Sequence, residues 1–251
     1  MKLKNLLRNN YHQLRKILQH AQINESRADL KKFHNIHSGK SAIIIGNGPS
    51  VKIEDFAKFN NLISFACNRF QLCYEQTAFR PNYTICIDPQ MIKDFGTEIA
   101  TNSGGELFIA DHKTAQKFNH VHYIYRHRSN PFIFSEDISN FVSNGSSVIC
   151  AALQIAYYMG IKKIYLYGLD HNFNYQSTTD NLGKLKASGD NNHFIQNYRS
   201  GKNWLPPKLI EIEEAFQICA DFFKEKGIEI YNVSHQTKLE IFPKKKLKDI
   251  L

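Results

Sequence analysis

A chain of 251 residues with 42% hydrophobic and 22% charged residues is long enough for one substantial core, too apolar for a disordered polymer and too polar for a bilayer-resident one. No window holds the roughly 20 apolar residues that a spanning helix needs. The net charge of +9 and pI of about 9.2 admit three anionic partners: nucleic acid, a membrane surface or a small acidic substrate.

In chain order, residues 1–22 come first, with Leu3, Leu6, Leu7, Tyr11, Leu14, Ile17 and Leu18 at spacings of three, four and seven, and Lys2, Lys4, Arg8, Arg15 and Lys16 between them. The spacing predicts a basic amphipathic helix within an N-terminal segment 1–38. Packing on the domain or a second subunit is weighted above docking on an anionic membrane. Basic residues run throughout this stretch and leave no apolar leader core, so the expected location is cytoplasmic, with peripheral attachment to the inner face of the membrane as an option. At the other end "FPKKKLKDIL" sets lysines beside apolar residues.

Residues 39–251 form the main predicted domain. Short apolar runs at 41–45, 62–67, 83–87, 106–110, 121–125, 163–167 and 228–233 alternate with helical patterns, including 147–159 and 208–226. Near-continuous apolar strands separated by helices predict an α/β fold, a Rossmann-like, mostly parallel sheet with helices on both faces. Residues 171–205, rich in Asn, Ser, Gly and Lys, break the pattern just past the end of a predicted strand. Ligands bind at that end of open α/β sheets, so the segment is expected to be a lid ordered by substrate.

The five cysteines are scattered without a C-x-x-C pair and are expected to be core fillers rather than disulfides or zinc ligands. His120 and His122 in "HVHYIYRHR" make a two-ligand start for a metal, with no third ligand at a suitable spacing. Aromatic residues do not alternate with basic ones as a nucleic-acid platform requires, and no G-x-S-x-G elbow supports a hydrolase.

The run "IIIGNGPS" ends the first strand at Ile45. Its glycines permit backbone angles denied to other residues, Pro49 and Ser50 are placed to open a helix, and the amides there are expected to face an anion. A bare tight turn with Asn47 left-handed is the equal alternative. Neither the dinucleotide G-x-G-x-x-G nor the P-loop lysine is present.

Together, "GNGPS", "ACNRF" at 66–70, "NGSSVICAALQIAYYMGIKKIYLYGLDHNF" and "NNHF" at 191–194 resemble the bacterial CMP-sialic-acid-dependent sialyltransferases, glycosyltransferase family 42. The later segments through "IYNVSHQTKLEIFPK" are similar to its broader MptE-like relatives, associated with bacterial surface-glycan synthesis such as lipopolysaccharide and capsule. The resemblance spans about residues 40–243 and implies a single-domain variant of the GT-A fold. It implies nucleotide contacts from Asn47, Gly48, Ser50 and Asn68. Ser146 or Ser147 lies at the turn before the long helix, and the alignment does not choose between them. Asp88 stands where the family has asparagine, so it suits a ribose or sugar hydroxyl better than a phosphate. Of the family's two phosphate-holding tyrosines only Tyr175 is matched, with Asn172 in the slot nearest the first, and Asp170 either caps the turn or shapes the pocket. Histidine at 193 matches the general base, a role suited to a side chain that titrates near neutrality.

These matches imply an inverting glycosyltransferase that moves an acidic sugar, of the sialic acid or Kdo class, from a CMP-sugar to an oligosaccharide or lipid-linked acceptor. A homo-oligomer is an open possibility. One bridging phosphate leaves with about one extra negative charge, which fixed donors can stabilise, and no D-x-D occurs in the chain, so no cofactor or metal is expected. Arg126, Arg128 and Arg199 are candidates for carboxylate or acceptor recognition. Two rivals stand beside this reading: an MptE-like pterin diphosphokinase using ATP and Mg²⁺, and a non-catalytic nucleotide-binding subunit of glycan assembly.

Overall fold

The computed structural model describes residues 21, 24–174, 176–179, 185–188, 192–202 and 204–250. The predicted helix over 1–22 falls almost wholly outside these residues, and Tyr175 falls outside them altogether.

Seven strands build one sheet: β1 (Ser41–Ile45), β2 (Ile63–Cys67), β3 (Tyr83–Cys86), β4 (Glu106–Ile109), β5 (Val121–Tyr123), β8 (Lys163–Tyr167) and β11 (Glu229–Asn232). Between β5 and β8, the two-residue strands β6 (Arg126–His127) and β7 (Val142–Ser143) pair with each other. Past β8, β9 (Gln176–Thr179) and β10 (Leu185–Ser188) form an antiparallel hairpin. The sheet order is β11-β8-β1-β2-β3-β4-β5, with every pair parallel. The chain therefore starts in mid-sheet, winds outward to β5, then crosses back to lay β8 and β11 on the other side of β1. That reversal between β1 and β8 is where an α/β sheet opens a crevice at its C-terminal edge.

Side chains alternate between two cores. Ala42, Ile44, Phe65, Ile85 and Leu166 face one layer, made by α1 (24–31), α4 (Val148–Tyr158) and α5 (Leu209–Glu225). Ile43, Ile45, Ala66 and Tyr167 face the opposite layer, where 3₁₀ turns at Ile53–Phe59 and Phe70–Cys73 bring in Phe56, Phe59 and Phe70. On that side α2 (Pro89–Asn102) contributes Met91, Phe95 and Ile99, and the short α3 (His112–Ala115) follows β4. Helix α4 is apolar all round, as a helix buried on every side must be. Its one polar interior residue, Gln154, is held by Ser135 N, Ser143 N, Ser143 O and Cys150 O at 2.7–3.0 Å. These bonds fix the turn that leads into α4.

All five cysteines are buried and unbridged. The histidine pair does not converge: His120 Nε2 meets Ala100 O, whereas buried His122 sits between Asp29 (2.6 Å) and Glu106 (2.7 Å), pinning α1 to the sheet edge. No cluster suited to a metal occurs among the described residues, and none of their helices is long and apolar enough to cross a membrane.

Candidate functional site

At the β1/β8 reversal lies a cleft of about 160 Å³. Its floor is the Gly46–Pro49 turn after β1 and Cys67 at the end of β2. Gly168–Phe173 after β8 forms one wall, the first residues of α4 another, and Asn192 with His193 closes the top.

The Gly46–Gly48 turn differs from the sequence expectation in three respects. Neither glycine has a positive φ and Asn47 is not left-handed. Glycine is required because a Cβ at either position would stand 2.6 Å from the carbonyl oxygen of Gly168, so the β1 and β8 turns touch backbone to backbone. Pro49 and Ser50 form a turn, and the helix that follows begins only at Ile53. Four of the amides there are also committed within the protein. Gly46 N donates to Tyr167 O, Gly48 N to Gly168 O and Val51 N to Gly48 O. Ser50 N donates to Asp170 Oδ2 at 2.7 Å, and the Ser50 hydroxyl donates to Asp170 Oδ1. Asp170 is thus the anion of this turn; burial raises its pKa, and the two bonds from Ser50 work against that rise.

Asn47 lines the cleft. Its amide nitrogen donates to Cys67 O (3.0 Å) and to the Tyr198 hydroxyl (3.1 Å). Because Cys67 O can only accept, the amide orientation is fixed, and the Asn47 Oδ1 is left buried with no hydrogen-bond partner among the described residues. Asn68, left-handed at φ 54°, does not line the cleft, and its Oδ1 is likewise buried with no hydrogen-bond partner among the described residues. An unused carbonyl acceptor on a cleft-lining residue, Asn47, calls for a ligand that donates, such as a ribose hydroxyl or an exocyclic amine.

The turn before α4 separates the two serines. Ser147 caps α4 by accepting from Ile149 N (3.3 Å) and lines the cleft, where the α4 N-terminus brings the positive end of its dipole. Ser146, left-handed at φ 54°, points its hydroxyl to Glu211 (2.6 Å) and lines a different cavity. Asp88 caps α2 through Met91 N (2.7 Å), and Asp88 does not line the cleft. Asn172 lines it, as does His171, whose Nε2 meets Glu213 at 2.8 Å.

His193 is half-buried at the cleft, its ring stacked on Tyr198 at 3.8 Å between centroids and 14° between planes. Burial, then the nearby Arg199 charge, depress its pKa to about 4, so the imidazole is neutral at pH 7. Several residues that the sequence reading did not single out hold it there. Phe194 N donates to Asn47 O (3.1 Å). The Asn192 side chain pairs with both the amide (2.6 Å) and the carbonyl (2.7 Å) of Asn174, closing the base of the β9–β10 hairpin. Buried Arg69 grips Glu98 in a fork (2.8 and 3.0 Å), donates to Tyr198 O and stacks 3.8 Å from the Phe95 ring. Arg199, a candidate for substrate recognition on sequence, is buried against Asp94 (3.1 Å) and Met91 instead. The signal for this anchor was the apolar set Phe194, Ile195 and Tyr198 inside an otherwise polar segment.

The cleft thus brings together Asn47, Gly48, Ser147, Asp170, Asn172 and His193, with Ser50 bonded to one of them. Asn68, Asp88 and Ser146 do not line it. No curated protein matches the chain. Among solved structures it is similar to the MAf glycosyltransferase from Magnetospirillum magneticum AMB-1, with a TM-score of 0.51 and 15% identity over 90% of this chain. That match spans only 38% of the length of the MAf glycosyltransferase. It is also similar to the sialyltransferase CstII from Campylobacter jejuni, solved with the substrate analogue CMP-3FNeuAc, with a TM-score of 0.47 and 19% identity over 82% of this chain and 86% of that one. At such identities the first likeness is one of fold. The model of one family, "6-hydroxymethylpterin diphosphokinase MptE-like", matches residues 8–176, and with most of the sheet and the cleft turns inside that span, the chain belongs to the MptE-like family.

Proposed function

We propose that the chain is an inverting glycosyltransferase that takes an acidic sugar from a CMP-sugar and places it on a hydroxyl of a bacterial surface-glycan acceptor. One observation carries the reading: a neutral imidazole, His193, lines the same cleft as the unused Asn47 acceptor and the N-terminus of α4. The motif resemblance to CMP-sugar transferases supplies the donor class.

In the step proposed, the acceptor oxygen forms a bond to the anomeric carbon as its proton passes to a ring nitrogen of His193. The bond from that carbon to the phosphate oxygen breaks, and CMP departs with the electron pair. Its added negative charge meets the α4 dipole and the Ser147 hydroxyl, while Asn47 Oδ1 accepts from the nucleoside. Bound anions favour the imidazolium, so the donor itself raises the basicity of His193 toward the working range. A metal is not called for by this scheme.

The family's name favours a second reading, transfer of pyrophosphate from ATP to a pterin alcohol. That chemistry uses Mg²⁺ held by clustered carboxylates, whereas Asp170 is the one carboxylate lining the described cleft and is bonded to Ser50. Thermal unfolding with CMP or with ATP and Mg²⁺ separates the two. CMP at a hundredfold excess over Kd is expected to raise Tm by about 5 °C or more. Stabilisation by ATP and Mg²⁺ alone would select the diphosphokinase, and CMP binding without turnover on any acceptor would select a non-catalytic subunit.

A further inference from the structure

A second cavity of about 520 Å³ opens on the other side of the Gly145–Ser147 turn. It falls within the roughly 300–1,000 Å³ of ligand sites and is larger than the first cleft, at about 160 Å³. The two share their partition. Ser147 faces the first cleft and Ser146 the second; along α5, Ile212 and Phe216 face the first, Glu211, Glu214 and Gln217 the second.

The second cavity has a different chemistry. Arg128, Asn130, Asn144, Glu214 and Gln217 offer guanidinium, amide and carboxylate groups around Phe132. One cation is set against two lining carboxylates, Glu211 and Glu214, so the cavity does not suit the anionic donor. The Ser129 Oγ is buried within it with no hydrogen-bond partner among the described residues. Closely spaced donors and acceptors beside an aromatic face are what a hydroxyl-rich, uncharged ligand requires.

We propose that this cavity is the acceptor subsite and binds a neutral oligosaccharide, whose reacting end crosses the Ser146–Ser147 turn toward His193. The assignment rests on the glycosyltransferase reading for its purpose, but the binding itself can be measured without turnover. Saturation-transfer NMR on the full chain, with lactose, maltotriose and chitotriose as probes, reads it directly. At least one probe is expected to take up saturation, and CMP is expected to leave that signal in place. Glu214→Ala/Gln217→Ala is expected to weaken binding about tenfold through lost hydrogen bonds, and Ser129→Ala about fivefold. Ser129→Ala should leave Tm unchanged or raised, because it removes a buried unpaired hydroxyl, so a folding defect is not the cause. No saturation of any probe, an equal signal in all three proteins, or complete displacement by CMP would overturn the subsite. Sugar binding here with no stabilisation by CMP would leave the subsite standing and sink the donor assignment.

Discussion

The imidazole of His193 lies flat on the phenol of Tyr198, and the hydroxyl of that same phenol accepts a hydrogen bond from Asn47. One buried tyrosine thereby joins the proposed base to the turn after β1. The position of His193 depends on Tyr198 and on whatever fixes Tyr198.

Replacing His193 by alanine should lower the rate of sugar transfer by about 10²–10⁴-fold, the range of a general base, while the Tm shift given by CMP persists. Initial rates with a CMP-sugar donor check this. Near-normal turnover would remove His193 from the mechanism.

The depressed pKa of His193 also fixes the sign of a stability change. The unfolded imidazole titrates at the ordinary 6.5 and the folded one at about 4, so the unfolded chain binds more protons between those values. Its contribution is full above pH 6.5 and is lost as pH falls toward 4, with a slope of up to about 1.4 kcal/mol per pH unit. Urea unfolding at pH 5 and 7 should show a steeper loss of stability on acidification in the wild type than in His193→Asn, which retains the same-signed contribution of His37, whose pKa burial also lowers. In catalysis, the acid limb of kcat should lie at higher pH than that of kcat/KM, because the bound anionic donor favours the imidazolium.

Gly48→Ala would drive a Cβ to 2.6 Å from Gly168 O and 2.8 Å from the Asp170 carboxyl carbon. Overpacking of this kind costs about 1–3 kcal/mol. Because both colliding groups belong to the cleft wall, the CMP-induced Tm shift should vanish as well. Denaturant unfolding and thermal shift measure the two effects.

Arg69 is only 5% exposed and depends on Glu98, which is 37% exposed. Glu98→Ala should destabilise by about 2 kcal/mol, less than the cost of stranding a charge in a sealed interior, because water can reach the vacated side. Transfer activity should fall further than stability accounts for, since Arg69 also holds the Tyr198 carbonyl. Rates measured well below Tm separate the two.

Asn192→Ala removes both bonds to the Asn174 backbone, about 1–3 kcal/mol of local stabilisation. Trypsin should then cleave after Lys186 in β10 faster than in wild type, with global Tm little changed. An unaltered cleavage rate would show that the hairpin base is held by other contacts.

Much of the architecture was legible from composition and spacing. All seven strands of the sheet fall on the apolar runs, because a strand buried on both faces has no polar positions to blur its signal. Helices α4 and α5 begin and end within one residue of their periodic segments, 147–159 and 208–226. The segment after β8 was less legible. Its polar composition pointed to a lid that substrate orders and gave no sign of the β9–β10 hairpin or the buried anchor Tyr198 that it contains.

The amino-acid order by itself determined a parallel α/β sheet and a glycine turn after the first strand, and it set a histidine in the segment beyond β8. Only the tertiary structure decided that those glycines serve close backbone approach to Gly168, that the amides of Gly46, Gly48, Ser50 and Val51 are already bonded, and that Ser147 rather than Ser146 faces the cleft. Periodicity reports which residues leave water, a property each element carries in its own pattern. Which groups satisfy one another across the β1/β8 reversal depends on segments more than a hundred residues apart, such as Ser50 and Asp170, and no local spacing encodes that meeting.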